Sequence, residues 1–326
     1  MNRLPGHFPG AATALLLAAL CAPGSTLAQP YPAKPVRVVI VFPAGGSNDV
    51  TGRIVFAKLS EMTGQQFVLE NRGGAGGTIG SELVAKSAPN GYTVMVQSTT
   101  HIANAHLYKK LPYDVLRDFI GVTTLARQVG VLVVHPSMPV KSVSELVALA
   151  KQRPGQIVYA GAGNGSYAHM AMALFVSMSG TNMLNVQYKG AGPGNIALIA
   201  GEAQAMMTTL GSIASHIKAG QVRALGVSSD TRITQFPEIP AIAESIRGYE
   251  FTGWVGCFVP AGTPPAIVNE LNAAIKKVLE NPDVATRLTD LTLDPLHMTP
   301  GQFAQRLKSD YDKYADVVRI SGAKLE

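Results

Sequence analysis

Short, nearly continuous apolar runs recur along the chain, each closed by glycine or small polar residues and followed by a stretch with helical spacing. The first such run, residues 36–42, contains Val38-Val39-Ile40-Val41-Phe42 and leads into Pro43-Ala44-Gly45-Gly46-Ser47-Asn48-Asp49. It reads as a buried strand and a turn, with a helix starting near Asp49 or Val50 and carried by the spacing of Ile54, Val55, Leu59 and Met62. The same logic predicts strands at 67–70, 93–97, 129–134, 157–160, 186–188, 205–209, 224–228 and 251–259. Helices are predicted at 77–87, 167–178, 195–200 and 266–279, with further starts at Pro282 and Pro300. Ser142, three residues before Glu145, resembles a capping box. This alternation predicts an α/β chain on a parallel sheet with crossover helices. The return of an apolar strand near residue 252 splits it into lobe one, 29–125 plus 252–326, and lobe two, 126–251.

The first 28 residues stand apart. Arg3, an apolar run of about ten residues from Ala11 to Leu20 and the small residues before Ala28 read as a secretion signal cleaved after Ala28. The run is shorter than the roughly 20 residues a membrane span needs. Cys257 is the sole cysteine after Cys21 leaves with the signal, so no intrachain disulfide can form, and an exported chain without disulfides suits a bacterial periplasm. The 27 Lys and Arg against 21 Asp and Glu are scattered, with no basic run beyond pairs, so nucleic acid is not an expected partner.

Familiar catalytic and cofactor patterns fail in detail. Counting from Gly74, a dinucleotide fingerprint needs glycine at position 79, which is Ile79, and no Walker sequence occurs. No G-x-S-x-G elbow is present, and Cys257 lies in an apolar run that favours a buried, inert thiol. The histidines at 101, 106, 135, 169, 216 and 297 lack metal-ligand spacing, so neither metal nor cofactor is expected, and no catalytic residue is assigned.

What remains is a set of glycine-rich loops at strand ends, where open α/β sheets bind ligands. Gly45 and Gly46 allow close backbone approach, and the helix after them aims free N–H groups at an anion. His169 follows the 161–166 loop on the first turns of a helix and is a candidate cleft residue; packing is its alternative role. Asp49 and Arg53 share a helix face, as a simple i,i+4 ion pair or as a pair shaping the cleft mouth. About four to six donors from Ser47, Asn48, Ser98, Thr99, Asn164 and Gly190 suffice for a micromolar acid. That affinity needs about 8 kcal/mol, and each charge-assisted hydrogen bond contributes roughly 1.5–3 kcal/mol.

An ordered series of motifs resembles one family. They are Tyr31-Pro32-Ala33-Lys34-Pro35, Phe42-Pro43-Ala44-Gly45-Gly46 with Asp49, Glu70-Asn71-Arg72-Gly73-Gly74-Ala75-Gly76-Gly77 and Pro89-Asn90-Gly91-Tyr92. They continue with Leu111-Pro112-Tyr113-Asp114, Tyr188-Lys189-Gly190 and Pro260-Ala261-Gly262-Thr263-Pro264. The chain is similar throughout to the periplasmic substrate-binding receptors of tripartite tricarboxylate transporters, the Bug receptors. The resemblance implies a type II periplasmic-binding fold, two α/β lobes around a central ligand cleft, closing on a small carboxylate. It implies contacts from Phe42, Ala44 to Asp49, Ser98 to Asn104, the 161–169 loop including Gly163, and Tyr188 to Ala191. It also implies delivery to membrane permease subunits by a monomer. A periplasmic sensor serving a signalling partner, and a periplasmic enzyme acting on a small acid, are the alternatives. Family members often carry acidic residues where Ala173, Ala197 and Gln204 stand here.

Overall fold

A computed structural model describes residues 1–2, 31–163 and 165–322. The secretion signal read at 1–28, apart from its first two residues, and the candidate donor Asn164 lie outside the described residues. In chain order the first elements are β1 (Val36–Ile40), α1 (Ser47–Thr63), β2 (Phe67–Asn71), α2 (Thr78–Ala85), β3 (Thr93–Ser98), α3 (Thr100–Leu107) and β4 (Phe119–Gln128). Next come β5 (Gly130–Val134), α4 (Val143–Gln152), β6 (Val158–Gly161), α5 (Tyr167–Ser179), β7 (Leu184–Gln187), α6 (Ala191–Ile199), β8 (Ala205–Thr209), α7 (Leu210–Lys218) and β9 (Arg223–Val227). The chain ends through β10 (Gly253–Pro260), α8 (Pro265–Leu279), α9 (Pro282–Asp290), β11 (Leu293–Pro295) and α10 (Pro300–Ser321).

Two sheets result, ordered β11-β4-β10-β3-β1-β2 and β7-β6-β8-β5-β9. They are mixed rather than parallel throughout: β10 runs antiparallel to both β3 and β4, and β5 antiparallel to both β8 and β9. The register brings all the ligand-competent ends to one edge of each sheet. In the first, the carboxyl ends of β1, β3 and β4 lie beside the starts of β10 and β11, with Val255 opposite Ser98 and Leu293 opposite Gln128. In the second, the carboxyl ends of β6, β7, β8 and β9 lie beside the start of β5, with Gly130 opposite Thr209.

Local chemistry explains most helix starts. Ser142 accepts from the Glu145 amide, while the Glu145 carboxylate accepts from Lys141 N–H, so the box closes one residue earlier than expected. Thr299 and Gln302 form a complete box at α10. The helix expected at 195–200 begins at Ala191, because Pro193 falls in the first turn, where its missing N–H has no intrahelical acceptor to lose. A helix over Thr100–Leu107 and the long strand Phe119–Gln128 were absent from the expectations.

The largest apolar cluster joins residues of both sheets, Val39 and Met95 with Leu132 and Val134, through Phe175 of α5 and Phe303 and Tyr314 of α10. Trp254 Nε1 donates to Asp310 Oδ2 at 2.7 Å and Arg306 to the same carboxylate at 2.9 Å, fastening α10 to β10. The chain passes between the sheets at Gln128–Gly130 and again between Ser228 and Gly253. These crossings are tied together: Gly130 N–H donates to Ser228 Oγ at 2.9 Å, and Phe251 N–H to Ser228 O at 2.9 Å. Tyr167 Oη donates to Phe251 O at 2.6 Å and lies 2.8 Å from Ser228 Oγ. Tyr167→Phe is therefore expected to lower the unfolding free energy by about 1–2 kcal/mol in urea titration, since one buried carbonyl loses its hydroxyl donor.

Candidate functional site

The first loop is set by Asp49. The residue is 3% exposed. One oxygen accepts from Gly45 N–H at 2.9 Å and Arg53 Nε at 3.0 Å; the other accepts from Asn71 Nδ2 at 2.9 Å. Asn71 Nδ2 also donates to Phe42 O at 3.0 Å, and Arg53 returns to Asn71 Oδ1 at 3.0 Å. Burial pushes the Asp49 carboxyl up, but Arg53, the Gly45 amide and Asn71 together outweigh it and hold its pKa below the usual carboxylate value. The carboxylate thus shapes the loop from behind, with its oxygens committed to protein donors. Gly45 sits at φ +84°, a left-handed conformation that favours glycine and lets the loop turn into α1.

The helix starts at Ser47, earlier than expected, with Gly46 as a cap that has no side chain to satisfy the first amides. Those amides lack intrahelical acceptors by construction and carry the positive end of the helix dipole. Gly45, Gly46 and Ser47 border a cavity of about 500 Å³. From the side of the five-stranded sheet come Ala191 and Gly192 of α6, Thr209 at the end of β8 and Gly211 and Ser212 of α7; Gln128 and Val129 line it at the crossing; Val50, Leu291, Thr292 and Leu293 complete it. Among the described residues, no ionisable side chain lines this space.

Of the expected ligand contacts, Gly45, Gly46, Ser47 and Ala191 border the cavity. Phe42, Ala44, Asn48 and Asp49 belong to the same loop and helix start; Asn48 is buried with its Nδ2 lacking a protein acceptor. Ser98 and Thr99 are buried at the end of β3, Ser98 Oγ donating to Thr100 Oγ1 at 3.2 Å and Thr99 N–H to Trp254 O. Asn104 is turned to the glycine loop, Nδ2 donating to Gly76 O at 2.9 Å. Gly163 N–H donates to Gln187 Oε1, and His169 Nδ1 accepts from Gly165 N–H at 3.1 Å, so the ring braces its own loop. Burial lowers the His169 pKa, keeping the ring neutral. Tyr188 N–H donates to Gly161 O, continuing the β6–β7 pairing, and Gly190 caps α6.

Thr209, Gly211 and Ser212 were missed. Their signal was present: the apolar run Ala205-Met206-Met207 ends in Thr208-Thr209-Leu210-Gly211-Ser212, the same strand-to-small-residue switch as the first loop. Ala173 and Ala197 are buried, and Gln204 Oε1 accepts from Val158 N–H, so none of the three reaches the cavity. A Cβ added at Gly46 would meet Pro43 O at 3.6 Å, an ordinary contact distance. Gly46→Val is expected to leave the thermal midpoint unchanged while weakening ligand binding about tenfold, measured by calorimetry.

Residues 51–322 match the family described as "Tripartite tricarboxylate transporter family receptor". Protein BugT of Bordetella pertussis is 36% identical over 314 residues, covering 95% of this chain and 95% of BugT. The structure of R. palustris Rpa4515 with adipate superposes with a TM-score of 0.81 at 32% identity, covering 90% of this chain and 100% of that one. MatC (Rpa3494) from Rhodopseudomonas palustris with bound malate gives 0.76 at 31% identity, over 88% and 100% of the two chains. Two mixed α/β sheets with facing loop edges, and a match running through most of the sequence, place this chain in the tripartite tricarboxylate transporter receptor family.

Proposed function

We propose that this protein is a periplasmic receptor that captures a small carboxylate in the cavity between its two sheets and performs no chemistry on it. The observation that carries this reading is a cavity bordered by the uncapped start of α1 and by hydroxyl and amide groups, with no ionisable side chain among the described residues that line it. Main-chain amides suit a carboxylate, and the lining hydroxyls have no acid or base among the described lining residues to activate them or to transfer a proton. The neighbours bound to adipate and malate support the same ligand chemistry. In this reading residues 1–28 direct export, and the crossings at 128–130 and 228–253 join two lobes. A monomer closes on its ligand and presents the closed form to permease subunits. Among the described residues no helix is long and apolar enough to cross a membrane.

The test is a thermal-shift screen of residues 29–326 against mono-, di- and tricarboxylates. A ligand at about 100 times its Kd stabilises by about 2.7 kcal/mol, a rise of several degrees for a chain of this size. No shift with any acid, or turnover of a bound acid, overturns the reading.

A further inference from the structure

One wall of the cavity is apolar. Val50, Val129, Leu291 and Leu293 line it, while Ser47, Gln128, Thr209 and Ser212 offer the polar side chains. Leu291 is 44% exposed, unusual for a large aliphatic residue that borders a ligand-sized space. The turn that presents it is held by several independent contacts. Thr292 adopts φ +56°, a left-handed conformation that a β-branched residue adopts only under constraint. Its Oγ1 donates to Leu291 O at 2.7 Å. The turn is seated against the first turn of α7, where a Cβ at Gly211 would lie 2.6 Å from Leu291 O and 2.9 Å from Thr292 Oγ1. Just beyond it, Asp294 accepts from Arg127 Nη2 at 2.8 Å and from Gln235 Nε2 at 2.5 Å. A constrained backbone that projects an aliphatic side chain into a binding space is a shaped wall.

We propose that the 291–293 turn is the specificity-determining wall, and that the ligand is an amphipathic acid. Its carboxylate sits at the α1 start, and an extended hydrocarbon body lies along Leu291, Leu293, Val50 and Val129. This inference rests on the receptor reading of the cavity. A space of about 500 Å³ corresponds to roughly sixteen water volumes, about twice as many as a four-carbon diacid has heavy atoms. A compact, multiply charged acid would place carboxylates against the aliphatic wall with no cationic side chain among the described lining residues to receive them. A longer chain removes the wall from water instead.

Calorimetric titration of succinate, adipate, suberate and citrate into the wild-type protein and Leu291→Ser tests the proposal. Affinity is expected to rise roughly two- to fourfold per added methylene from succinate to suberate, with citrate at least tenfold weaker than adipate. L291S is expected to halve the slope of log Kd against methylene number. A flat or falling slope, a preference for citrate, or an unchanged slope in L291S overturns the wall while leaving the receptor reading intact. Binding of none of the acids overturns the receptor reading and the wall with it.

Discussion

Replacing Asp49 by alanine is expected to weaken ligand binding about a hundredfold and to lower stability by about 2–3 kcal/mol. The carboxylate holds Gly45 N–H, Asn71 and Arg53 at once, at 2.9–3.0 Å. Without it the turn at Ala44 and Gly45 has no anchor on α1. Freeing two residues recovers about 2–3 kcal/mol of backbone entropy, so the binding-competent loop falls to about 1% of the population and the apparent Kd rises in proportion. The stability cost stays below that of breaking a fully buried pair because the Arg53 side chain is 52% exposed and rehydrates. The pH dependence follows from the same contacts. Because the folded carboxyl titrates below its unfolded value, its contribution is complete above the ordinary carboxylate pKa and is lost as pH falls below about 4. Calorimetry with the acid found in the screen, and urea unfolding of both proteins, check this. An Asp49→Ala protein that binds within threefold of wild type would remove the loop from the site.

The second large effect is acid sensitivity from His101. This ring is wholly buried, with Nε2 2.9 Å from Val115 O, Tyr113 stacked at 6.2 Å, and Phe119 and Phe258 at 4.9 and 5.0 Å. Burial lowers its pKa from 6.5 to about 4. As pH falls, the unfolded chain takes up the proton first. Stability is therefore full above about pH 6.5, declines between about 6.5 and 4, and levels off below that. The interval corresponds to about 3 kcal/mol at 1.36 kcal/mol per pH unit. His106, His169 and His297 are also lowered by burial and add to the decline with the same sign. Urea unfolding between about pH 7 and pH 4 is expected to show wild type losing about 3 kcal/mol more than His101→Phe. The phenylalanine leaves Val115 O without its donor at every pH, which adds a constant loss that has no pH dependence of its own. Equal slopes would assign the acid sensitivity elsewhere.

The sequence was most legible where local chemistry decides the structure. Buried runs such as Val36–Ile40 and Ala205–Thr209 need no partner to be recognised, and Pro265, Pro282 and Pro300 mark helix starts by their fixed φ. Phe119–Gln128 escaped because Gly121, Thr123, Thr124 and Arg127 interrupt its apolar run; its partners β10 and β11, far off in sequence, bury it. The antiparallel course of β10 was equally hidden, since strand direction is a property of pairing. The cavity divides in the same way. The Gly45–Ser47 side was visible as a strand-end glycine turn, but Leu291–Leu293 becomes a wall only because Leu293 pairs with Gln128 across 165 residues of sequence. Asp49 was visible as a helix-start acid. Its union with Asn71 depends on β2 lying beside β1.

The main-chain donors at the start of α1 have an evolutionary consequence. In the proposed reading the grip on a carboxylate comes from amides that every residue except proline carries, shaped by Gly45 and Asp49. Mutations that change the apolar wall leave that grip in place. A duplicated gene can then drift through new ligands while each intermediate still holds an acid, so the wall can diversify without a non-binding ancestor.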